Sequence, residues 1–322
     1  MSSAIIIGVD GQDGSYLTEL LLEKGYHVVG TVQPGESDSL ENLASISERV
    51  EIVVTDLLDQ KNLSEVIGGY RPDETYNLAS QSHLLTSLED PARTGEISGL
   101  GVTRILEAIR TTSPKTRFFQ ASSSEMFGRQ PRDVPQDENT PFEPWNAYAA
   151  PKLYAHWVVA SYRRNHGIFA CAGILYNHES PRRRPEFVTR KVTRGAAMIK
   201  LGLARDLPLG NLDARRDWGF AGDFVRGMWQ MLQQETPADF VLATGKTHTV
   251  RDLCEEAFSC LGLDYRDYVV PGTTDFRREE ETLLVGNPGK AQRFLGWEPF
   301  VPFQELIRVM VDADLASLRN TR

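Results

Sequence analysis

The sequence predicts a doubly wound, parallel α/β sheet followed by a smaller, interleaved C-terminal lobe. Short apolar segments alternate with longer amphipathic segments through the first half of the chain, as in repeated strand–helix units. A glycine-rich turn follows the first apolar segment, and the alternation weakens beyond Leu175. The 322 residues, 41% hydrophobic and 25% charged, suffice for one large α/β unit or two coupled lobes.

The order of elements supports this fold class. The first helix carries Leu17, Leu20 and Leu21 on one face, so it should pack flat on the sheet, and Gly25 is placed to end it in a left-handed conformation. The predicted strands are Ala4–Ile7, His27–Val32, Val50–Thr55, Glu74–Asn77, Arg117–Gln120, Phe169–Leu175 and Asp239–Ala243. The predicted helices include Ser15–Glu23, Asn62–Ile67, Leu100–Arg110 and Tyr148–Arg164.

Gly8, Gly11 and Gly14 are spaced three apart between the first strand and the first helix. The first permits a tight turn, the second lets the backbone approach a pyrophosphate, and the third lets helix and strand pack closely. The helix N-terminus also favours an anion. Three glycines can serve an ordinary connection, but this placement favours a Rossmann-type dinucleotide site.

The segment after the second strand leaves the choice between NAD and NADP open. An acidic residue there would accept a hydrogen bond from a ribose hydroxyl, whereas an arginine would hold a 2′-phosphate. The residues Thr31–Ser37 carry neither signature cleanly.

The weaker alternation of the second half sets the expected domain division. We expect residues 1–176 to form the dinucleotide-binding domain and residues 213–245 to return to it, since Asp239–Ala243 has the pattern of one more sheet strand. Residues 177–212 and 246–322 are expected to form the substrate-binding lobe.

Composition limits the partners and the chemistry. The 35 Lys and Arg against 44 Asp and Glu give a net charge of −9, which argues against nucleic acid or a membrane surface as a partner. Cys171, Cys254 and Cys260 lack CxxC spacing and the six histidines lack ligand spacing, so neither disulfides nor a metal site is expected. The chain enters a strand almost at once and has no segment of membrane-spanning length, so we expect a cytoplasmic protein.

Tyr148 and Lys152 lie four residues apart at the start of a predicted helix, so both side chains project from one face. A phenol acts as a base only where a nearby cation favours the phenolate, and Lys152 and an oxidised nicotinamide could supply that charge. Pro151 fits only the first helical turn, which agrees with this placement. Glu125 follows the fifth strand beside three serines and could move a carbon-bound proton.

Seven segments together carry a family resemblance over nearly the whole chain. They are Gly8–Leu17, Ser122–Gly128, Tyr148–Tyr154, Asn177–Pro181, Phe187–Lys191, Gly210–Gly219 and Leu284–Trp297. With these segments the sequence resembles the GDP-mannose 4,6-dehydratase family. The last four are much more specific than the general dinucleotide signals.

The resemblance implies an enzyme that borrows its cofactor rather than consuming it. Tyr148 would take the 4-hydroxyl proton of the sugar as hydride leaves C4, and Glu125 would then remove the C5 proton while the 6-hydroxyl leaves as water. Ser123 stands where the family usually has a threonine and keeps the hydroxyl. Lys152 would hold the ribose and favour the phenolate of Tyr148.

The resemblance also implies binding residues and NADP as cofactor. The cofactor set is Gly8, Gly11, Gln12, Asp13, Gly14, Ser15, Tyr16, Asp56, Leu57, Leu78, Ala79, Ser80, Gln81, Ser82, Tyr148, Lys152, His178 and Arg183. The GDP-sugar set is Asn177, Lys191, Arg216, Arg277 and Glu280. The helices after Leu100 and Tyr148 resemble the pair that forms a dimer interface in this superfamily, so we expect a homodimer, with tetramer formation open.

Four departures bear on specificity. The family's usual arginine pair after the second strand falls near Gln33 and Pro34 here, which leaves NAD possible and the tetramer in question. Asp10 replaces a threonine in the phosphate turn, and its charge would disfavour an extra phosphate. Arg184 and Arg278 replace a glycine and a proline beside the expected sugar-nucleotide site.

Three other functions stay open on the sequence. The substrate could be another GDP-sugar such as a GDP-manno-heptose. Tyr148 and Lys152 would also suffice for a sugar-nucleotide C4 oxidoreductase or epimerase. A non-catalytic dinucleotide-binding regulator is disfavoured, because such proteins typically lose the tyrosine–lysine pair.

Overall fold

The computed structural model describes residues 1–35, 40–81, 84–128, 134–272 and 283–320. Its strands are β1 Ser3–Ile7, β2 His27–Val32, β3 Glu51–Val54, β4 Glu74–Asn77, β5 Arg117–Ser123, β6 Ala170–Leu175, β7 Asn177–Glu179, β8 Leu207–Leu209, β9 Arg215–Arg216, β10 Trp218–Phe220, β11 Phe240–Leu242, β12 His248–Thr249 and β13 Val269–Pro271. Its α-helices are α1 Gln12–Glu23, α2 Gln60–Tyr70, α3 Leu84–Glu89, α4 Pro91–Gly95, α5 Gly101–Thr112, α6 Ala149–His166, α7 Val188–Lys200, α8 Ala221–Leu232, α9 Val250–Ser259, α10 Gly289–Leu295 and α11 Phe303–Asn320.

A parallel sheet organises the first half of the chain, as the sequence predicts. Within the described residues, seven strands pair in the order β11-β6-β5-β4-β1-β2-β3, and every pairing is parallel. The strands added after β1 lie on one side of it as far as β3, and the strands from β4 onward lie on its other side. This change of direction leaves a crevice outside the carboxyl ends of β1 and β4. Ligands of doubly wound sheets bind at such a switch point.

Apolar clusters cover both faces of the sheet, because alternate side chains of its strands contribute to different clusters. Ile6 and Val28 belong to one buried cluster, while their neighbours Ile5 and Val29 belong to the opposite one. Alternate side chains of a strand point to opposite faces, which explains the division. Leu17 and Leu21 of α1 lie in the first cluster, so α1 packs on the sheet as predicted.

The second lobe has its own apolar cluster, built from α7, α9 and α11. Val192, Phe258 and Met310 are among its fully buried members. Three short strand pairs border the lobe: β7 with β10, β8 with β13, and β9 with β12. No helix in the described part of the chain is long and apolar enough to cross a membrane.

Element boundaries differ from the prediction where polar residues extend an element. Helix α1 begins at Gln12 rather than Ser15, and β5 continues through Ser123 rather than ending at Gln120. Both extensions lie at the sheet edge that faces the crevice, where side chains meet a cavity instead of the core. Apolar periodicity does not mark such residues, although they are regular in backbone structure.

Candidate active site

A cavity of about 1420 Å³ lies at the carboxyl edge of the sheet and extends beneath the second lobe. The structure brings most of the predicted site residues together there. Those that line it are Gly8, Gly11, Gln12, Asp13, Gly14, Leu57, Leu78, Ala79, Ser80, Gln81, Ser123, Glu125, Tyr148, Lys152, Asn177, His178, Arg183 and Arg216.

Four predicted residues do not line this cavity. The Ser15 hydroxyl is buried and donates to the carbonyl of Gln12 at 2.8 Å. Tyr16 packs edge-on against Phe220, with ring centroids 5.5 Å apart. Asp56 accepts a hydrogen bond from the Leu58 amide at 2.9 Å, and Lys191 is exposed on α7. Ser82, Arg277 and Glu280, and with them Arg278, lie outside the described residues.

The glycine turn is shaped by contacts that only glycine permits. Gly8 adopts a φ of +84°, and a side chain there would also meet the backbone of Ala79. A Cβ at Gly14 would lie 2.2 Å from the Gly8 carbonyl oxygen and 2.7 Å from the Val9 Cα. Gly11 is the N-cap of α1, and among protein atoms a Cβ there would meet only the Gly8 carbonyl oxygen, at 3.4 Å. The turn can therefore present the amino end of α1 to an anion.

Replacing Gly14 with alanine should destabilise the fold, because the added methyl group would collide with backbone that cannot move independently. We expect a loss of about 3 kcal/mol in unfolding free energy, as in overpacked interiors. Gly69→Ala is the matched control, since a Cβ at Gly69 in α2 meets nothing within 4 Å. Thermal unfolding of both variants checks this, and equal midpoints would contradict the crowding argument.

The tyrosine–lysine pair lies at the amino end of α6. Lys152 is buried and its Nζ donates to the Ala121 carbonyl at 2.8 Å, while remaining 5.7 Å from the centre of the Tyr148 ring. Burial lowers the pKa of Lys152 to about 8, against a smaller opposite effect of Asp13. Burial raises the pKa of Tyr148 to about 12, although its hydrogen bond with Ser123 acts in the other direction. The protein groups alone therefore favour a neutral phenol.

Asn146 connects Glu125 to the start of α6, and sequence reasoning missed it. Its Oδ1 accepts hydrogen bonds from the amides of Tyr148 at 3.0 Å and Ala149 at 2.7 Å. Its Nδ2 donates to Glu125 Oε2 at 3.4 Å, and the Ser123 hydroxyl accepts from the Glu125 amide at 3.2 Å. Asparagine before a helix is a recognised capping residue, so its type was a usable signal.

Cations line the cavity where the second lobe covers it. Arg183 forms a 3.1 Å ion pair with the buried Glu179 and lies over the Phe187 ring at 3.5 Å. Arg93 and Arg194 also line the cavity and were not predicted. They are single arginines on helices with no motif around them, and only the tertiary fold brings them to the site.

The cavity residues fit a nicotinamide dinucleotide. Thr55 lines the cavity at the end of β3, and its buried hydroxyl oxygen has no hydrogen-bond partner within the described protein. Such a buried polar atom calls for a ligand or water, because leaving it unpaired costs free energy. The glycine turn, the adjoining helix end and this hydroxyl all face the same space, which suits a polyanionic dinucleotide. In the described part of the chain, no cluster of three or more histidine, cysteine, aspartate or glutamate residues could hold a metal ion.

The parallel sheet, the glycine turn and the tyrosine–lysine pair define a Rossmann-type enzyme of the extended short-chain dehydrogenase/reductase class. A family model described as GDP-mannose 4,6 dehydratase matches residues 5–310. GDP-mannose 4,6 dehydratase 2 of Arabidopsis thaliana is 47% identical over 324 residues, covering 97% of this chain and 86% of that protein. The chain belongs to the GDP-mannose 4,6-dehydratase family.

Solved structures support the fold at lower sequence identity. The dTDP-glucose 4,6-dehydratase DesIV of Streptomyces venezuelae, with NAD and TYD bound, superposes with a TM-score of 0.86 at 23% identity, covering 99% of this chain and 98% of that one. RMD of Pseudomonas aeruginosa, complexed with NADPH, gives 0.82 at 22% identity, covering 98% and 100%. The family resemblance and the fold class predicted from the sequence are thereby confirmed.

Proposed function

We propose that this chain converts GDP-mannose to GDP-4-keto-6-deoxymannose. The observation that carries the proposal is that Ser123, Glu125, Tyr148 and Lys152 share one cavity with the phosphate turn, in a chain of this family. The test is incubation of the purified protein with GDP-mannose and either NAD or NADP, followed by mass spectrometry. Loss of one water without net cofactor reduction supports the proposal. Unchanged GDP-mannose with both cofactors would redirect it to another GDP-sugar.

The residues divide the proton transfers between two positions on the sugar. A bound oxidised nicotinamide would accept hydride from C4 and return it to C6. Tyr148 accepts the proton of the 4-hydroxyl, and Ser123 holds that oxygen through its hydroxyl. Glu125 removes the C5 proton, made acidic by the neighbouring carbonyl, and passes it to the 6-hydroxyl, which departs as water. Hydride return to C6 would then be balanced by an exchangeable proton delivered to C5. Detecting deuterium exchange at C5 would separate this reaction from C4 oxidoreduction or epimerisation.

The charge around Tyr148 supports its use as a base only in the complete complex. Its pKa of about 12 is too high for a base at neutral pH, with burial as the largest cause. A positive nicotinamide ring would add the missing favourable charge, and Arg183 already acts in that direction. Because the positive charge of the oxidised cofactor would be needed to lower the pKa of Tyr148, the tyrosine would act as a base only when a hydride acceptor is bound.

Asn177 and Arg216 are the described members of the proposed GDP-sugar set that line the cavity. An arginine fork suits a diphosphate, and Asn177 follows β6 at the sheet edge. Lys191, on the exposed side of α7, and Arg277 and Glu280, outside the described residues, remain predictions for the same substrate.

The adenosine end of the cavity supports NAD over the NADP that the resemblance implies. Asp10, Gln33, Glu41 and Asn42 line this end, and the sequence between Lys24 and Arg49 holds no lysine or arginine. Desolvation raises the pKa of Asp10, with Arg184 acting in the opposite direction. A 2′-phosphate would meet two carboxylates here, which disfavours it.

NAD is accordingly expected to bind about tenfold more tightly than NADP, a difference of about 1.4 kcal/mol. The double variant Asp10→Asn/Gln33→Arg should narrow or reverse that preference, because it removes a negative charge and adds a guanidinium. Isothermal titration with each dinucleotide measures it. Arg184→Gln is the control: selective loss of NADP binding in that variant would show that Arg184 holds a 2′-phosphate and would refute the assignment.

We further propose a homodimer formed through α6 and through the end of Glu96–Leu100, the segment that precedes α5. Leu100, Tyr154 and Trp157 are 41%, 43% and 56% exposed, an unusual exposure for three large apolar side chains near one another in the fold. Gly99 lies against Pro151 and Tyr154, so the two segments form one surface. Trp157→Glu should halve the mass measured by light scattering, whereas the exposed Phe294→Glu on α10 should not. Whether a tetramer forms is read from the same measurement.

The contacts also support the expected division into lobes and a reducing location. Helix α8 packs in the cluster beneath the sheet and β11 pairs with β6, so this part of residues 213–245 returns to the dinucleotide-binding domain. The clusters around α7, α9 and α11 support a substrate lobe from residues 177–212 and 246–322. The free thiols Cys171, Cys254 and Cys260 suit the cytoplasm, which we propose as the location.

A further inference from the structure

Two ionisable side chains meet beneath the phosphate turn, although 165 positions separate them in the sequence. Asp13 belongs to the first turn of α1, and His178 lies in β7. His178 Nε2 lies 2.8 Å from Asp13 Oδ2, and His178 Nδ1 lies 2.7 Å from the carbonyl oxygen of Tyr176. Both side chains are largely buried, with 11% of the histidine and 19% of the aspartate exposed.

The partners of His178 settle which protons its ring carries. A backbone carbonyl only accepts hydrogen bonds, and an ionised carboxylate only accepts them as well. With Asp13 ionised, as its lowered pKa favours, both ring nitrogens must donate, which gives the imidazolium form beside an aspartate anion. A neutral ring would leave one of the two short contacts without a proton.

Neighbouring polar groups hold the pair in place without neutralising it. Gln12 Nε2 donates to Asp13 Oδ1 at 3.1 Å and to the His178 carbonyl at 3.0 Å. The Ser180 hydroxyl donates to Gln12 Oε1 at 2.8 Å, and the His178 ring stacks on Phe224 at 4.6 Å. The phosphate turn is thereby fastened to the strand that begins the second lobe.

Other charged groups face the pair from several elements. Arg183 acts on both members, and Tyr148 and Lys152 of the α6 end lie within electrostatic reach of Asp13. Among the other nearby carboxylates, Glu179 is engaged by Arg183, Asp223 of α8 by the amides of Phe300 and Val301, and Asp217 by Thr244. Asp10 of the same turn has Arg184 as its charged neighbour.

Position gives the pair a consequence for anion binding. Asp13 is the second residue of α1, next to the amino end where a pyrophosphate would bind. An unpaired carboxylate there would repel the pyrophosphate across a poorly screened distance. The adjacent imidazolium cancels that charge while Asp13 keeps the histidine oriented.

We propose that Asp13 and His178 form a carboxylate–imidazolium pair that positions the phosphate turn and neutralises it, so that dinucleotide affinity falls when the pair loses its proton. The proposal rests on the proposed dinucleotide role of this cavity. His178 is thus a positioning residue for the cofactor, and the pair makes cofactor retention sensitive to alkaline pH.

The sign of the pH effect follows from the shifts of the two groups. Burial lowers the pKa of His178, but Asp13 and the Tyr176 carbonyl outweigh it, so the pKa lies above its ordinary value. Burial raises the pKa of Asp13, but His178 and Gln12 outweigh it, so that pKa lies below its ordinary value. The stabilisation by the pair is therefore complete between the ordinary pKa of aspartate, about 3.9, and that of histidine, about 6.5, and it is lost as pH rises through the histidine's raised pKa.

The protonation state can be measured without any ligand. In protein labelled with ¹³Cε1-histidine, the signal that is missing from the His178→Gln variant should titrate with a pKa above the ordinary histidine value of about 6.5. A His178 signal that titrates at or below that ordinary value would overturn the proposal, and this result stands whether or not the chain binds a dinucleotide.

A double-variant cycle then tests the effect on binding, with NAD as the titrated ligand at pH 7. His178→Gln should weaken NAD binding about tenfold or more, because it leaves the Asp13 charge uncompensated. Asp13→Asn/His178→Gln should recover to within about threefold of the natural protein, since both charges are gone. Raising the pH from 7 to 9.5 should weaken binding by the natural protein more than binding by the double variant, because Lys152, with its pKa near 8, titrates in both proteins.

If the pair acted only through its packing, the double variant should not recover NAD binding. If the double variant binds as weakly as His178→Gln, or if both respond equally to alkaline pH, the pair acts through shape and the proposal fails. Circular dichroism and thermal unfolding confirm that each variant is folded before titration. Absence of binding to NAD and NADP by the natural protein would instead refute the proposed function, leaving the histidine signal as the separate test.

Discussion

Tyr148→Phe is expected to lower kcat for water loss from GDP-mannose by about 10³-fold, within the range for removal of a positioned general base. In the proposed mechanism the Tyr148 hydroxyl accepts the sugar proton, and no other group on the amino end of α6 is proposed for that role. Lys152 is turned to the Ala121 carbonyl at 2.8 Å, so its amine is already engaged. Substrate affinity should change little, because the phenyl ring keeps the shape of the cavity.

Mass spectrometry of the sugar nucleotide, in reactions quenched at fixed times, measures this decrease in kcat. Tyr162→Phe on the same helix is the control: its hydroxyl bonds Glu107 at 2.6 Å, far from the catalytic pair, and activity should stay within about twofold. If Tyr148→Phe retained more than a tenth of the activity, the tyrosine would not be the base.

The pH profile should carry the signature of the tyrosine–lysine pair. Lys152 has its pKa lowered to about 8, chiefly by burial, so its positive charge is present at neutral pH and disappears as pH rises past that value. In the proposed mechanism, its support of the Tyr148 phenolate disappears with that charge. We therefore expect kcat/KM to rise from acidic pH and decline above about pH 8. In Lys152→Met the alkaline decline should be absent at a much lower overall rate.

Glu125→Gln should block the reaction after C4 oxidation, with product formation reduced about 10³-fold. The amide keeps the size of the side chain and cannot accept the C5 proton. The oxidised sugar nucleotide, two mass units lighter than GDP-mannose, should then accumulate to at most one equivalent per site. Exchange of C5 hydrogen for solvent deuterium should disappear, and accumulation of the oxidised sugar nucleotide, which Tyr148→Phe should not give, separates Glu125 from Tyr148.

Two companion variants make the Glu125 result interpretable. Glu143→Gln, an exposed acid in the same connection, should leave the rate within about twofold. Asn146→Ala should lower kcat by about tenfold, because it removes the amide that orients Glu125 and caps α6. Rapid C5 exchange in Glu125→Gln would show that another group removes the proton.

The fold could be predicted because its information is local. Strands β2 and β4 have the predicted bounds, and Gly25 adopts a φ of +78° just beyond α1, because apolar periodicity and a helix-ending glycine act over a few residues. The start of α1 at Gln12 was missed for the same reason: its first turn is polar and glycine-containing, so periodicity begins only afterwards.

The site was predictable where a short motif fixes geometry and unpredictable where tertiary contacts do. Four residues on a helix place Tyr148 and Lys152 on one face whatever the rest of the chain does. No local pattern pairs Asp13 with His178, since the contact depends on β7 passing beneath α1. The engagement of Lys152 by a carbonyl and the raised pKa of Tyr148 likewise arise from burial that a sequence does not display.

The place of β11 in the sheet has a consequence for biosynthesis. Strand β6 is buried along its whole length and pairs with β5 on one side and β11 on the other. While the chain is being made, residues 1–176 leave the ribosome with that apolar strand unpaired on its outer side, a template for association with other chains. The outer edge of β6 is paired only once Leu242 has emerged. That edge is therefore open to other chains for the time needed to translate the intervening segment.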